Sequence, residues 1–239
     1  MKDINLIRES EKDGLAQYLE DYDFVDFEKT VGKTIKTLED KLENLSNEID
    51  KSADEASREE FYNDAFYISN DMYSIEEELF LIYELVILND YKEYENVLKG
   101  LLKITLDFKN SDLNRHDVIK SRLESKKIDV TKFINYKAVN ELRNVNNHIE
   151  HSSILNKPKD LNYIAEFKKK STLNYIDLRN FHERIFKARV SYIFELKNKI
   201  YEYLYEFDRN RISSFANSIA KRLNEKEIDI LIAKLENLK

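Results

Sequence analysis

Three glycines and one proline in 239 residues leave this chain few ways to turn sharply, because tight turns draw on those two residue types for their backbone angles. The usual frequencies are about 7% and 5%. Such a chain must run in long elements, and its apolar residues recur at helical spacing. Phe24, Phe27, Val31, Ile35, Leu38, Leu42, Leu45 and Ile49 follow one another at steps of three or four, which is a heptad seam. Past Asp54, Phe61, Ile68, Ile75 and Ile82 recur every seven residues, as do Ala65, Met72, Leu79 and Val86. These rows predict a helix from about Ala56 to Leu88 that packs antiparallel on the first, and the nearness of the two seams favours pairing within one subunit. Further helices are expected over 4–20, from Tyr91 to Phe108, and from near Val130 to His151 with Asp129 as N-cap. The last long one runs from a Ser171 or Thr172 cap to about Phe207, with Phe181, Ile185, Ala188, Tyr192, Leu196 and Ile200 inward. No strand-type alternation bounded by turn residues recurs. The expected class is all-α, an elongated bundle of long antiparallel helices in one domain over 1–239. Within it lie a helical pair at about 24–90, a core at about 91–210 and short helices at 211–239.

Several chemistries are excluded at the outset. Without cysteine there is no disulfide, thiolate metal site or Cys nucleophile. The opening MKDINLIRESEKDG is too charged for a signal peptide and no apolar run approaches membrane-spanning length, so a cytoplasmic protein with no membrane partner is expected. Glu76, Glu77 and Glu78 read as a solvated acidic face, since the Glu-x-x-His pairs of di-iron bundles are absent. The net charge of −7 conceals an uneven distribution. Residues 1–108 carry 12 Lys and Arg against 28 Asp and Glu, whereas residues 109–189 carry 18 against 10. A basic segment of this kind suits a phosphate-backbone ligand.

That segment holds the stretch with most chemical content, Glu141 to His151, which reads ELRNVNNHIEH. On a helix Ile134, Ala138, Leu142, Val145 and Ile149 form one apolar face, while Asn140, Arg143, Asn144, Asn147, His148 and His151 fall together opposite it. A solvated face is usually written in Glu and Lys, which favour the helix; Asn does not. A stripe of Asn, Arg and His therefore calls for a functional reason, against the bland alternative of surface residues near a fraying helix end. Glu141 either orients Arg143 or is a solvated acid. Nearby, Lys168, Lys169 and Lys170 are candidate phosphate contacts, against the reading of a merely solvated charge run, and His116 beside Arg115 reads as a solvent-exposed loop histidine before a nucleic-acid contact.

Arg143, Asn144 and His148 match the Arg-x4-6-His signature of the HEPN superfamily, in which a polar residue follows the Arg. The chain resembles that family in its motif helix, and elsewhere only as a helical pattern. The resemblance implies metal-independent endoribonuclease activity, of a toxin or anti-phage defence kind, on tRNA or mRNA. His148 would act as acid or base, Arg143 would stabilise the phosphorane and Asn144 would orient the substrate, leaving a 2′,3′-cyclic phosphate and a 5′-hydroxyl. Asn147 and His151 join as RNA contacts. His151 has also the readings of a second proton carrier or half of a metal pair, although four His and no Cys leave few ligands for zinc. No cofactor is expected. Because the stripe faces away from its own core, two copies meeting across a twofold axis would pool their His148 and Arg143 side chains, as active HEPN nucleases do. A homodimer is therefore expected, along with a cognate antitoxin or regulatory protein. The sequence departs from the HEPN toxin pattern in carrying Glu150 where those toxins place Tyr. Two further readings stay open: a HEPN-like module that binds RNA, nucleotide or a partner without cutting, and a helical interaction protein in which Arg143 and His148 coincide by chance.

Overall fold

The computed structural model of the protein describes residues 10, 13–14, 26–55, 58–106, 108–151 and 159–237. Among the described residues there are eight α-helices, two 3-10 turns and no strand, which is the expected all-α class. In order the helices are α1 (Asp26–Glu55), α2 (Arg58–Leu106), α3 (Asn110–Leu113), α4 (His116–Ser125), α5 (Tyr136–His151), α6 (Tyr175–Tyr205), α7 (Arg209–Ala220) and α8 (Glu225–Glu236). The helix expected over 4–20 lies almost wholly outside the described residues, as do Phe24, the side chains of Phe27 and Phe61, and the breakers Ser152, Ser153, Asn156 and Pro158. None of the described helices is long and apolar enough to cross a membrane.

The chain groups into two compact units, Tyr22–Asp107 with Thr131–Phe194, and Met1–Asp21 with Phe108–Val130 and Glu195–Lys239. In the first, the two heptad seams meet. Leu38 and Leu42 of α1 are buried with Leu79 of α2, and Ile35, Met72, Ile75 and Ile82 pack around them. Ile35 also touches the cluster that holds Tyr83 and Ile87, so α1 descends as α2 rises and the seams close within one chain. Burying such leucines contributes roughly 1.5–3 kcal/mol each.

The expected break between the second and third helices is absent: α2 runs unbroken for 49 residues. The apolar rows stop at Leu88, but Asp90 just beyond them faces inward at 4% exposure and pairs with Arg189 and His182 of α6. The tertiary ion pair outweighs the weak helix preference of Asp. Leu142 and Val145 of α5, Ile87 of α2 and Phe181 and Ile185 of α6 share one core. Leu161, Ile164 and Phe167 complete that core from the segment between α5 and α6. Every residue expected to face inward on α6 is buried. Its cap is Asn174 rather than Ser171 or Thr172. The Asn174 side chain accepts from the Asp177 amide at 3.1 Å and Asp177 accepts from the Asn174 amide at 3.2 Å, a reciprocal capping box that competes better than a lone hydroxyl.

In the second unit, α3 and α4 are joined by an ion pair between Asp112 and Arg122, whose guanidinium lies over the Phe108 ring. Asp208 and Asn224 cap α7 and α8, neither of which buries a residue. Arg211 stacks on Phe207 and donates to the Glu202 and Glu206 carbonyls, which gives the C-terminal end of α6 a side-chain donor.

Candidate functional site

Helix α5 begins at Tyr136, not near Val130; a 3-10 turn at Val130–Lys132 precedes it, so Asp129 does not stand at its N-cap position. Ile134 therefore lies before the first turn and is 89% exposed, outside the apolar face to which its spacing assigned it. Leu142 and Val145 are fully buried, and Val139, Glu141 and Asn146 join them. The inward face is thus broader than an apolar count suggests.

Opposite it, Asn144, Asn147, His148 and His151 line one cleft, open to solvent and about 350 Å³ in volume. Its other wall is Asp160, Leu161 and Tyr163. The volume is within the range of small-ligand sites. His148 is half-buried and His151 exposed, and among the described residues no hydrogen bond or ion pair ties either ring. An imidazole without such a tie leaves its nitrogens to a ligand, which is what a proton-transferring side chain requires. The Asn144 side-chain amide donates to the Tyr163 hydroxyl at 2.7 Å, bridging the two walls.

Arg143 and Asn140 are not among the lining residues. The Arg143 guanidinium acts on α2. Burial, Tyr192 and Tyr91 hold the Tyr94 phenol well above its ordinary range and Arg143 partly offsets them. At Tyr91, burial and Glu95 raise the phenol and Arg143 again opposes. Among the described residues the enclosed Arg143 Nε has no hydrogen-bond partner. Lys168, Lys169 and Lys170 are exposed and do not line the cleft either. Lys170 pairs with buried Asp177, and Lys169 adopts a left-handed backbone, φ 64°, from which its amide donates to Asn162 at 2.7 Å. In the second unit Arg115 pairs with Asp117 at 2.6 Å.

Glu141 is neither a solvated acid nor the partner of Arg143. At 3% exposure it sits inside and meets Arg184 of α6 at 2.8 Å. Arg184 also grips both oxygens of Glu166, at 2.6 and 2.9 Å, and so ties the motif helix and the 159–174 segment to one cation. A carboxylate on a helix face is ordinarily solvated; here a cation that the sequence places 43 positions away draws it in. Burial pushes the Glu166 carboxyl upward, but the Arg184 hydrogen bonds and charge hold it below its ordinary 4.5. A carboxyl with a depressed folded-state value contributes stability that is complete above the unfolded value and lost as pH falls through the folded one. Arg184→Met is accordingly expected to lower stability at pH 7 by about 1–3 kcal/mol, because Glu141 is left buried without its main partner. It should also flatten the loss of stability below about pH 4.5, an effect read from urea unfolding at pH 7 and pH 4.

Sequence reasoning did not find Asp160, Leu161 and Tyr163. One signal was present: Leu161, Ile164 and Phe167 are spaced by three, and the Ile164 and Phe167 amides donate to the carbonyls three residues back. That spacing turns Asp160 and Tyr163 outward from a buried row. Among the described residues no group of three or more His, Asp or Glu is arranged to hold a metal ion. Compared with family models, curated proteins and solved structures, the chain matches none.

Proposed function

We propose that the protein is a metal-independent endoribonuclease of the HEPN type, acting as a toxin or anti-phage defence effector in the cytoplasm. The observation that carries this reading is the convergence of His148 and His151, untied among the described residues, with the Asn144 and Asn147 amides in one open cleft. A 2′-OH attacking its adjacent phosphate needs one group to take its proton and another to protonate the departing 5′-oxygen. The two imidazoles supply both within a single subunit. Arg143 belongs to the same stripe by helical angle without lining the cleft, and a second copy facing the first across a twofold axis would add its positive charge to the field at the phosphorane. Such an enzyme needs restraint, which makes a cognate antitoxin or regulatory protein the expected partner.

The test is incubation of the purified protein with total RNA and with tRNA in excess EDTA, followed by end-group analysis. Cleavage with 2′,3′-cyclic phosphate and 5′-hydroxyl ends is the expected result; intact RNA, or 5′-phosphate ends, would overturn the reading. A second reading has one observation in its favour. The Arg143 charge lowers the Tyr91 and Tyr94 phenols and its side chain is not on the lining of the cleft, which suits a module that binds RNA without cutting it. In that case the wild type retards RNA on a gel, leaves it whole, and Arg143→Ala weakens retention.

A further inference from the structure

We propose that the cleft takes an unpaired guanine, with Tyr163 stacked on the base, the Asp160 carboxylate accepting from the base's Watson–Crick edge, and the two imidazoles facing the adjoining phosphate. This rests on the ribonuclease reading and names the substrate within it.

Tyr163 is 48% exposed, yet it is held at both ends. Its hydroxyl accepts from Asn144, and its backbone lies between buried Leu161 and Ile164. A fixed aromatic ring with an open face is a platform for a base, whatever the base, because every base has a π-face. Only unpaired bases offer both that face and their Watson–Crick edge to a protein, so the platform selects single strands over duplex.

Asp160 is the feature that needs a reason. It is exposed in a cleft otherwise lined by imidazoles, amides, a leucine and a phenol, and among the described residues its carboxylate has no hydrogen-bond or ion-pair partner. Beside a phosphodiester it would repel the ligand. It favours binding only when it meets donors, and an ionised carboxylate accepts at both oxygens. Guanine alone among the four bases carries two adjacent donors on that edge, N1–H and the exocyclic N2–H, spaced to meet both oxygens of one carboxylate. Adenine and cytosine set an acceptor nitrogen beside their amine, and uracil flanks its single N–H with carbonyls.

The test uses the full chain in EDTA and 5′-labelled single-stranded oligonucleotides that differ only in the base at one position, with the matching duplex alongside. Cleavage is expected beside guanine in the single strand and not in the duplex. Asp160→Asn should lower the guanine preference about tenfold or more. Tyr163→Ala should raise KM for every base by about ten- to a hundredfold with kcat little changed, and Tyr163→Phe should fall between, since it keeps the ring and loses the Asn144 tether. Calorimetry with 3′-GMP and 3′-UMP reads the base site independently of cleavage. Cutting that ignores base identity, or a preference that survives Asp160→Asn, overturns the guanine assignment and leaves the nuclease reading standing. So does an Asp160→Asn effect that shifts the pH profile equally for all bases, which would mean that the carboxylate acts on an imidazole instead. Selective 3′-GMP binding without cleavage sinks the nuclease reading and keeps the base site. Neither cleavage nor selective binding sinks both.

Discussion

Exchanging His148 for Ala is expected to reduce RNA cleavage in EDTA by about 10²- to 10⁴-fold, the usual contribution of a positioned proton carrier, while stability changes by no more than about 0.5 kcal/mol. The two halves of that expectation come from different observations. His148 lines the cleft and makes no hydrogen bond among the described residues, so no hydrogen bond to them is lost with the ring. Alanine is also the better helix former, which offsets what little packing disappears. His151→Ala is the informative companion. If the two imidazoles divide the acid and base roles, each variant removes one limb of a bell-shaped pH–rate profile and the double variant is hardly worse than the poorer single one, as expected for groups acting as a unit. Initial rates on a single-stranded substrate from pH 5 to 9, beside thermal unfolding of each variant, make the check. A His148→Ala protein that is folded and cuts at the wild-type rate would end the assignment.

The motif stripe was legible because helical arithmetic is local: Asn144, Asn147, His148 and His151 share a side of α5 whatever surrounds them. What the same arithmetic could not supply was the opposite wall. Tyr163 meets Asn144 across 19 positions of sequence, and that hydrogen bond depends on how the 159–174 segment is pinned by Leu161, Ile164 and Phe167. Arg143 shows the complementary failure. One position from Asn144, it belongs to the same stripe by angle, yet its long side chain acts on α2, which packs on α5. Apolar periodicity gave α6 its inward row correctly and hid its buried charges, because Arg189 and His182 sit on a second inward row that a hydrophobic count reads as surface. The same blindness ended the second helix at Leu88, short of Asp90. Local pattern thus located the helices and the candidate stripe, and long-range ion pairs decided where the pattern was overruled.

Those ion pairs carry the largest expected effect on stability. Arg189 is 1% exposed and donates to the Asp90 carboxylate at 2.9 Å, to the Asp90 carbonyl at 2.9 Å and to Glu93 at 3.0 Å, with the Phe186 ring 4.8 Å from its guanidinium carbon. Asp90 holds His182 Nδ1 at 2.7 Å on its other oxygen. Removing the cation alone, as in Arg189→Met, strands Asp90 inside the first unit, and the expected cost is about 3–5 kcal/mol. For a chain of this size that lowers Tm by roughly 6–20 °C. Asp90→Asn in the same background should recover part of the loss, because a neutral amide is cheaper to bury than a carboxylate and still accepts from His182. Amide exchange should accelerate around Asn89–Glu93 in the single variant, since the buried pair is what keeps α2 unbroken where its sequence favours a turn. The pair as a whole need not stabilise the protein relative to two apolar residues of equal volume. A single variant that loses less than about 1 kcal/mol, with exchange in mid-α2 unchanged, would mean that Asp90 is solvated in solution and that the continuity of α2 has another cause.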